Sequence, residues 1–214
     1  MLKLSLDKRK KYNVLCLGSH CDDIEIGCGG TLLHLSRLFQ LNCRWIVFSS
    51  SRARKKEAQK SAAIFLKNTK SKKIIIKDFR NGYFPYVGAG IKDYFEEIKK
   101  EFSPDIIFTH YRSDLHQDHR LISELTWNTF RNHLVLEFEV PKYDGDMGSP
   151  NFFVPLDKDI CQKKIESLLE SFPTQTDKHW FSADTFWSLL RLRGMESASP
   201  TNYAEAFYVR KVSL

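Results

Sequence analysis

From Tyr12 onward the chain alternates short apolar runs with longer amphipathic ones, and this alternation restricts the fold more than any other feature of the sequence. Such a pattern is typical of β-α units that build a parallel sheet. Parallel strands need crossover connections, and right-handed crossovers place helices on both faces of the sheet. The sequence therefore predicts an α/β fold of three α/β/α layers around a doubly wound, mainly parallel, Rossmann-like sheet.

The predicted elements follow the alternation closely in the first two thirds of the chain. Apolar runs predict strands at 12–18, 44–49, 73–76 and 105–109, and helical periodicity predicts helices at 27–39, 52–66, 90–101 and 118–131. In the last third, residues 134–140 alternate like an edge strand, 141–155 predict a long loop, and 157–171 and 183–193 predict helices.

Size and composition predict one domain. A chain of 214 residues with 42% hydrophobic content can bury a sizeable core, so we expect a single domain over 12–214 after a basic, mobile tail at 1–11. No apolar run reaches the roughly 18 to 20 residues of a spanning helix, so we expect no transmembrane segment. The five cysteines lack the spacing of a disulfide scaffold, which indicates reduced thiols and a cytoplasmic protein. A homo-oligomer is compatible with all of these features.

The net charge of +7 is compatible with an anionic partner, although a surface excess of one sign commonly serves solubility alone. Much of the excess lies in clusters at 8–11, 52–56 and 67–77. No zinc-finger spacing, ribonucleoprotein pattern or helix-turn-helix accompanies them, so we expect no nucleic-acid partner. A phosphorylated or nucleotide-linked small substrate explains the charge equally well.

The segment Gly18 to Gly30, GSHCDDIEIGCGG, crowds acidic and imidazole groups between the first strand and the first helix. His20 and Asp23 are three residues apart, so a tight turn can aim both at one point while Asp22 points across it. A dinucleotide-binding turn is the obvious alternative, but the glycines do not follow G-x-G-x-x-G and the carboxylates would repel a pyrophosphate. Helix capping explains each carboxylate singly but suits the group with His20 less well.

The segment Thr109 to His119, THYRSDLHQDH, follows the fourth predicted strand just as Gly18 to Gly30 follows the first. In a doubly wound sheet these two strands are often neighbours where the winding reverses, so the two loops would face each other. His116 and His119, with Asp114 and Asp118 interleaved, could form half of a metal site, because a carboxylate beside an imidazole fixes its ring.

Two histidines and one aspartate from these loops form a three-ligand set with an open position, which is the composition of a catalytic zinc site. A metal lowers the pKa of water in such a position, and Asp22 is the spare carboxylate that can take the proton. We expect His116 to stabilise the oxyanion or to protonate the leaving amine. His110, close to the strand end, is better explained as a packed or hydrogen-bonded imidazole, and the cysteines are not expected to be ligands.

SHCDDIEIGCGG followed by DLHQDH resembles the LmbE-like, or PIG-L, family of zinc-dependent N-acetylglucosamine deacetylases. The family pattern is a small residue, His-Pro-Asp-Asp, a nearby acidic residue and a glycine-rich helix start, with a later His-x-Asp-His element. Arg54 and Glu57, Pro104-Asp105, and the stretch from Tyr203 to Phe207 extend the similarity over nearly the whole chain.

The resemblance implies an LmbE-like fold and a metal centre. It implies metal ligation by His20, Asp23 and His119, and a general base at Asp22. Zinc is the implied cofactor, and iron(II), cobalt(II) or manganese(II) are alternatives, because two imidazoles and a carboxylate suit several of these metals.

Further roles are implied by the same comparison of motifs. His116 takes the place of the histidine that stabilises the tetrahedral intermediate, with Asp118 orienting it, and Arg54 and Tyr203 match residues near the substrate. The sequence departs from the pattern at Cys21, where the family has proline, so the turn loses a fixed φ. A thiol beside the metal also implies sensitivity to oxidation.

The predicted reaction is removal of the N-acetyl group from an amino sugar of the N-acetylglucosamine type, free or linked to a nucleotide or carrier, with release of acetate and a free amine. A metal-dependent hydrolase of another amide or of an ester is the alternative among enzymes. A non-catalytic sugar- or nucleotide-binding domain is the alternative from another class.

Overall fold

The architecture is taken from a computed structural model that describes residues 3–7 and 11–213. Parts of the predicted tail, residues 1, 2 and 8–10, lie outside the described residues. Leu6 packs against the hydrophobic core, and the Tyr12 hydroxyl donates a hydrogen bond to the Asp7 carbonyl. No helix in the described ranges is both long enough and apolar enough to cross a membrane.

Within those ranges the chain forms seven strands and six α-helices. The strands are β1 (Lys11–Gly18), β2 (Gln40–Val47), β3 (Ser71–Ile76), β4 (Ile106–His110), β5 (Leu134–Phe138), β6 (Phe152–Pro155) and β7 (Ala204–Tyr208). The helices are α1 (Asp23–Leu38), α2 (Arg52–Phe65), α3 (Gly88–Glu101), α4 (Gln117–Thr129), α5 (Lys158–Ser171) and α6 (Ala183–Glu196). Short 3₁₀ turns lie at Phe84–Tyr86 and Pro173–Gln175.

The strands form one sheet in the order β3-β2-β1-β4-β5-β7-β6. The first five strands pair in parallel, whereas β7 pairs antiparallel with both β5 and β6. The prediction of a doubly wound, mainly parallel sheet is confirmed. The winding reverses between β1 and β4, which are direct neighbours, so the loops after these two strands meet at one edge of the sheet.

Both faces of the sheet are buried, because side chains alternate along each strand and helices cover each side. In β1, Val14 and Cys16 belong to the core beneath α1, α2, α5 and α6, while Leu15 and Leu17 belong to the core beneath α3 and α4. All five cysteines are buried and free, as the spacing of the cysteines predicted.

The structure corrects the prediction that 134–140 is an edge strand. β5 lies between β4 and β7, because the chain returns near its end and adds β7 antiparallel to it. The alternating glutamates that resemble a solvated face are in fact buried and paired. Glu137 accepts a hydrogen bond from Trp127 Nε1, and Glu139 forms an ion pair with Arg193. β6 likewise forms within the predicted loop 141–155.

Helix α1 begins at Asp23, four residues before the predicted start at Gly27. The glycines mark a close approach and not a helix start, because a Cβ on Gly27 would lie 2.2 Å from Phe138 Cδ2 and one on Gly29 would lie 2.6 Å from Phe65 Cε1. The earlier start makes Asp23 the first helical residue, so its carboxylate lies at the helix N-terminus.

A buried ion pair joins α1 to the C-terminal part of the chain. Lys164 Nζ lies 2.6 Å from Glu205 Oε1 and donates a second hydrogen bond, also 2.6 Å long, to the Ile26 carbonyl oxygen. The Glu205 carboxylate also accepts hydrogen bonds from the backbone N–H groups of Gly30 and Thr31. One salt bridge thus holds α1, α5 and β7 together.

Replacing Lys164 by methionine should lower the free energy of unfolding by about 3 kcal/mol, because it leaves the Glu205 carboxylate buried without its cation. Urea unfolding measures the change. The matched control is Lys158→Met at the exposed start of the same helix, which should change the value by at most about 0.5 kcal/mol. Equal unfolding midpoints for the two variants would contradict this role of the pair.

Candidate metal centre

The loop after β1 and the loop after β4 face each other across a cavity of about 230 Å³. Most of the predicted site residues line it, namely His20, Asp22, Asp23, Arg54, His116 and His119. Parallel pairing of β1 with β4 produces this meeting, since each loop leaves the carboxyl end of its strand and leads directly into a helix. The two sequence motifs, 79 or more residues apart, are therefore brought to one place by the sheet.

Three donor atoms form a compact triangle at the base of the cavity. His20 Nδ1 lies 3.1 Å from His119 Nε2 and 3.5 Å from Asp23 Oδ2, and His119 Nε2 lies 3.6 Å from the same oxygen. Zinc bonds of about 2.0–2.2 Å at tetrahedral angles separate ligand atoms by roughly 3.3–3.6 Å. The triangle therefore fits a single divalent cation with two imidazoles and one carboxylate.

The distal nitrogen of each of these two histidines contacts a carboxylate. His20 Nε2 lies 3.2 Å from Asp118 Oδ2, and His119 Nδ1 lies 2.9 Å from Asp114 Oδ2. Such carboxylate–histidine contacts fix the tautomer and orientation of a metal-ligating ring. Lys142 Nζ lies 3.0 Å from the same Asp114 oxygen. Burial would raise the pKa of Asp114, but the hydrogen bond with His119, the neighbouring imidazoles and Lys142 outweigh it and lower that pKa. The arrangement of both rings is one that would suit a metal centre.

The structure corrects the expectation that Asp118 orients His116. The Asp118 carboxylate contacts His20 and accepts hydrogen bonds from the backbone N–H groups of Gly82 and Phe84. Only its backbone N–H reaches His116, donating to Nδ1 as His116 caps the start of α4. Asp118 is therefore a partner of the predicted metal ligand His20.

The pKa values of the two imidazoles are shifted in opposite directions by their different surroundings. Burial alone would lower the pKa of His20, but Asp23 and Asp118 outweigh it and raise the pKa of His20 to about 10. Burial and the neighbouring His110 lower the pKa of His119 to about 3. His20 Nδ1 and His119 Nε2, 3.1 Å apart, can therefore share one proton, which a cation bound between them would displace.

His110 forms the floor beneath the triangle. Its ring stacks on that of His119 with 3.9 Å between the centroids, and its Nε2 lies 3.2 Å from Asp23 Oδ2. Asp23, His110 and His119 therefore offer an alternative set of ligand atoms. The Ser19 backbone N–H already donates to His110 Nε2 at 2.9 Å, however, and this agrees with the packed, hydrogen-bonded imidazole that the sequence predicted.

Asp22 lies beside the triangle and is held by a cation. Its Oδ1 lies 2.8 Å from Arg54 Nη2, while its Oδ2 is buried and has no hydrogen-bond partner among the described residues. An ordinary N-cap would use its carboxylate on the first amides of the helix, but Asp22 makes no such bond in α1. One carboxylate oxygen is thus oriented and the other is left for a ligand.

His116 is the fourth imidazole at this site, and its side chain lines the cavity. Its ring centroid lies 4.9 Å from that of His20 and 4.6 Å from that of His119. Burial and the positive charge of His20 lower the pKa of His116, so the ring is neutral at neutral pH. Because Nδ1 accepts a hydrogen bond from a backbone N–H, the proton of the neutral ring lies on Nε2, which makes Nε2 a donor.

Tyr203 does not take the position that the family resemblance implied. Its ring packs edge to face on Trp187, 5.2 Å between centroids, at the margin of the core formed by α5 and α6. The described residues that line the cavity do not include it. Tyr203 directly precedes β7, whose first residue, Ala204, pairs with Pro155 of β6.

The thiol of Cys21 is also less reactive than expected. The residue is fully buried, and its Sγ lies 3.5 Å from the Ser49 carbonyl oxygen, to which it donates a hydrogen bond. Burial raises the pKa of this thiol to about 12. A buried, protonated thiol is inert towards oxidants, so the structure argues against the predicted oxidation sensitivity.

Several residues that line the cavity lie outside the two sequence motifs, so the motifs did not predict them. Lys142, Tyr143 and Asp144 come from the segment after β5, whereas Lys178 and Trp180 come from the turn before α6. Tyr143 is 72% exposed, and Lys178 Nζ lies 5.1 Å from the centre of the Trp180 ring. These side chains form an aromatic and cationic rim above the donor triangle.

The structure is that of a three-layer α/β protein whose sheet reverses its winding beside a cavity with a compact triangle of two imidazole nitrogens and one carboxylate oxygen. The chain belongs to the PIG-L: GlcNAc-PI de-N-acetylase family, whose sequence model matches residues 15–130. This range contains both loops of the site and every predicted site residue except Tyr203. No curated protein sequence matches the chain.

Solved structures share the whole architecture at low sequence identity. N,N'-diacetylchitobiose deacetylase from Pyrococcus horikoshii superposes with a TM-score of 0.70 and 20% identity over 93% of this chain and 84% of that chain. The zinc-inhibited form of the teicoplanin deacetylase Orf2 gives 0.68 and 14% over 94% and 100%. GalB, the 4-carboxy-2-hydroxymuconate hydratase from Pseudomonas putida KT2440, gives 0.73 and 14% over 95% and 98%. The neighbours include deacetylases and a hydratase, so the fold alone does not decide the reaction.

Replacing Asp114 by asparagine should weaken zinc binding by about 10- to 100-fold, because His119 loses the carboxylate that orients its ring. Competition with a chromophoric chelator measures the affinity. The matched control is Asp146→Asn, which changes a carboxylate that also contacts Lys142 but does not contact His119. If both variants bind zinc as the unchanged protein does, Asp114 has no part in the centre.

Proposed function

We propose that this protein is a metal-dependent N-deacetylase that removes the acetyl group from an N-acetylated amino sugar and releases acetate and a free amine. The observation that carries the proposal is Asp22, a buried carboxylate fixed by Arg54 at one oxygen and unpartnered at the other, directly beside a three-donor triangle. Family membership supports the type of reaction, and the geometry of this chain supplies the groups that the reaction needs.

His20, Asp23 and His119 would hold the metal, with zinc as the expected ion and iron(II), cobalt(II) or manganese(II) as alternatives. When bound, the ion supplies Lewis-acid polarisation of a carbonyl and lowers the pKa of water. Asp118 and Asp114 orient the two rings, so the donor atoms are arranged before any ligand arrives.

Asp22 acts as the general base. Its unpartnered Oδ2 accepts the proton of the attacking water, while the Arg54 guanidinium fixes the carboxylate through Oδ1. Holding one oxygen leaves the other with a single orientation, which lowers the entropic cost of the proton transfer. Arg54, which lines the same cavity, is thereby both the positioning residue for the base and the proposed substrate contact.

His116 acts on the other side of the reacting group. In its neutral form it carries the proton on Nε2, which can donate a hydrogen bond to the developing oxyanion. The proton that Asp22 takes from the water is then passed to the leaving amine, so Asp22 serves first as base and then as acid. Asp118 contributes through His20 and through the backbone N–H that fixes His116 Nδ1. The base and the oxyanion donor are thus two groups held by different loops.

The rim supports a sugar as the substrate. Tyr143 and Trp180 offer aromatic faces of the kind on which the apolar face of a sugar ring stacks, and Asn81 adds an amide at the same cavity. The cavity of about 230 Å³ holds an acetamido group together with part of one ring, so the rest of the substrate lies over the rim. Hydrolysis of another amide or of an ester is the second reaction that the same donors would catalyse.

Replacing Asp22 by asparagine should remove most of the deacetylase activity, about 100-fold or more in kcat, while the protein keeps one metal ion per chain. Asparagine keeps the shape and the contact with Arg54 but cannot take a proton. Acetate release from N-acetylhexosamine derivatives and metal analysis of the same sample measure the two quantities.

The contrasting variant is His119→Ala, which should lose both the metal and the activity because it removes a donor of the triangle. If Asp22→Asn releases acetate at the unchanged rate, the base has been wrongly identified. Hydrolysis of esters without any acetate release from amino sugars would favour the alternative substrate class, and binding without turnover would favour a non-catalytic domain.

A further inference from the structure

A second and larger cavity, of about 480 Å³, lies between the C-terminal half of α4 and the segment after β7. Four cationic side chains and one indole line it, and we call it the basic groove: Arg112, Arg131, Arg210, Lys211 and Trp127. Its lining shares no residue with the cavity at the metal centre. The groove is therefore a separate feature of the surface that the proposed deacetylation does not use.

A buried carboxylate gives the groove a fixed shape. Glu137, which is 1% exposed, accepts a hydrogen bond of 2.5 Å from Trp127 Nε1 and one of 2.9 Å from the Arg112 backbone N–H. The guanidinium of Arg210 lies over the Trp127 ring at 4.3 Å from its centre. The indole floor and the cations on both sides of it are thus held in place by contacts within the chain.

The positive charges of the groove are only partly compensated by the protein. Among the described residues, no carboxylate lies within ion-pair distance of these four cations, and their side-chain hydrogen bonds go to backbone carbonyls: Arg131 Nε to Asn128, and Lys211 Nζ to Arg131. Other cations of the chain form ion pairs, as Arg37 does with Asp159. Two carboxylates lie at the groove, Glu124 in its lining and Glu137 beneath the indole, so the excess is four minus two, or two positive charges.

We propose that the basic groove binds a small ligand that carries two or more phosphate groups. Like charges gathered without a counterion repel one another, and a polyanion removes this cost on binding. Three of the four cations are arginines, whose planar guanidinium groups match the oxygens of a phosphate in a bidentate manner. The volume lies within the range of small-molecule sites and exceeds what a single anion needs.

The test uses the full-length protein and sodium tripolyphosphate as the probe. Isothermal titration calorimetry compares the unchanged protein with Arg131→Gln/Arg210→Gln. The double variant should bind at least about tenfold more weakly, because it removes two guanidinium groups that contact the phosphates. The matched control is Lys60→Gln/Lys67→Gln, which removes two exposed charges at α2 and should bind as the unchanged protein does. Circular dichroism and acetate release check that the variants fold.

Two further arms identify the source of the phosphate and the outcomes that overturn the proposal. Co-sedimentation with phosphatidylcholine vesicles that contain phosphatidylinositol bisphosphate, lost only in the groove variant, would assign the phosphates to lipid headgroups. Tripolyphosphate binding alone would assign them to a soluble ligand. If both double variants weaken binding equally, or if a short DNA oligonucleotide binds through total charge alone, the proposal is wrong. No binding of either probe also overturns it, and none of these results bears on the deacetylase site.

Discussion

The parallel pairing of β1 with β4 is the constraint on which the site depends. Ile106, Ile107 and Phe108 of β4 lie in register with Val14, Leu15 and Cys16 of β1, and both strands are buried on their two faces. Because the sheet winds away from this pair in both directions, no crossover helix covers the loops at their carboxyl ends. His20 and Asp23 at one helix start and His119 at the other can then share one point, and water and substrate can reach it.

The buried carboxylates of the molecule are compensated by specific partners. Asp114 and Asp118 bond the rings of His119 and His20, and Glu205 is neutralised by Lys164 and two amides of α1. Unpaired charge in the interior would cost several kcal/mol, so each of these carboxylates specifies which elements may pack together. The surface differs, because the four cations of the basic groove have no carboxylate within ion-pair distance among the described residues.

Much of the fold could be predicted because its strands and helices are short-range patterns. The alternation of apolar and amphipathic runs placed the β-α units, residue types after strand ends placed five of the cavity-lining residues, and the family resemblance added Arg54. What failed were features set by tertiary contacts. The sequence predicted β5 as an edge strand, but Glu137 accepts a hydrogen bond from Trp127 of α4 and Glu139 pairs with Arg193 of α6. The glycines of α1 were taken to mark its start, but they lie within the helix where Phe138 and Phe65 approach closely.

The sequence by itself determined the α/β class and the two loops that meet at the cavity, because these follow from residue types within about a dozen positions; the acid–base roles of their residues stay predictions. The tertiary structure alone decided which carboxylate meets which imidazole. Asp118 contacts His20 and not His116, and Tyr203 packs on Trp187 and not at the cavity. The positions of Tyr143 and Trp180 at the rim of the cavity were likewise decided only by the tertiary structure. Side-chain partners across the sheet depend on register and helix orientation, which only the packed chain fixes.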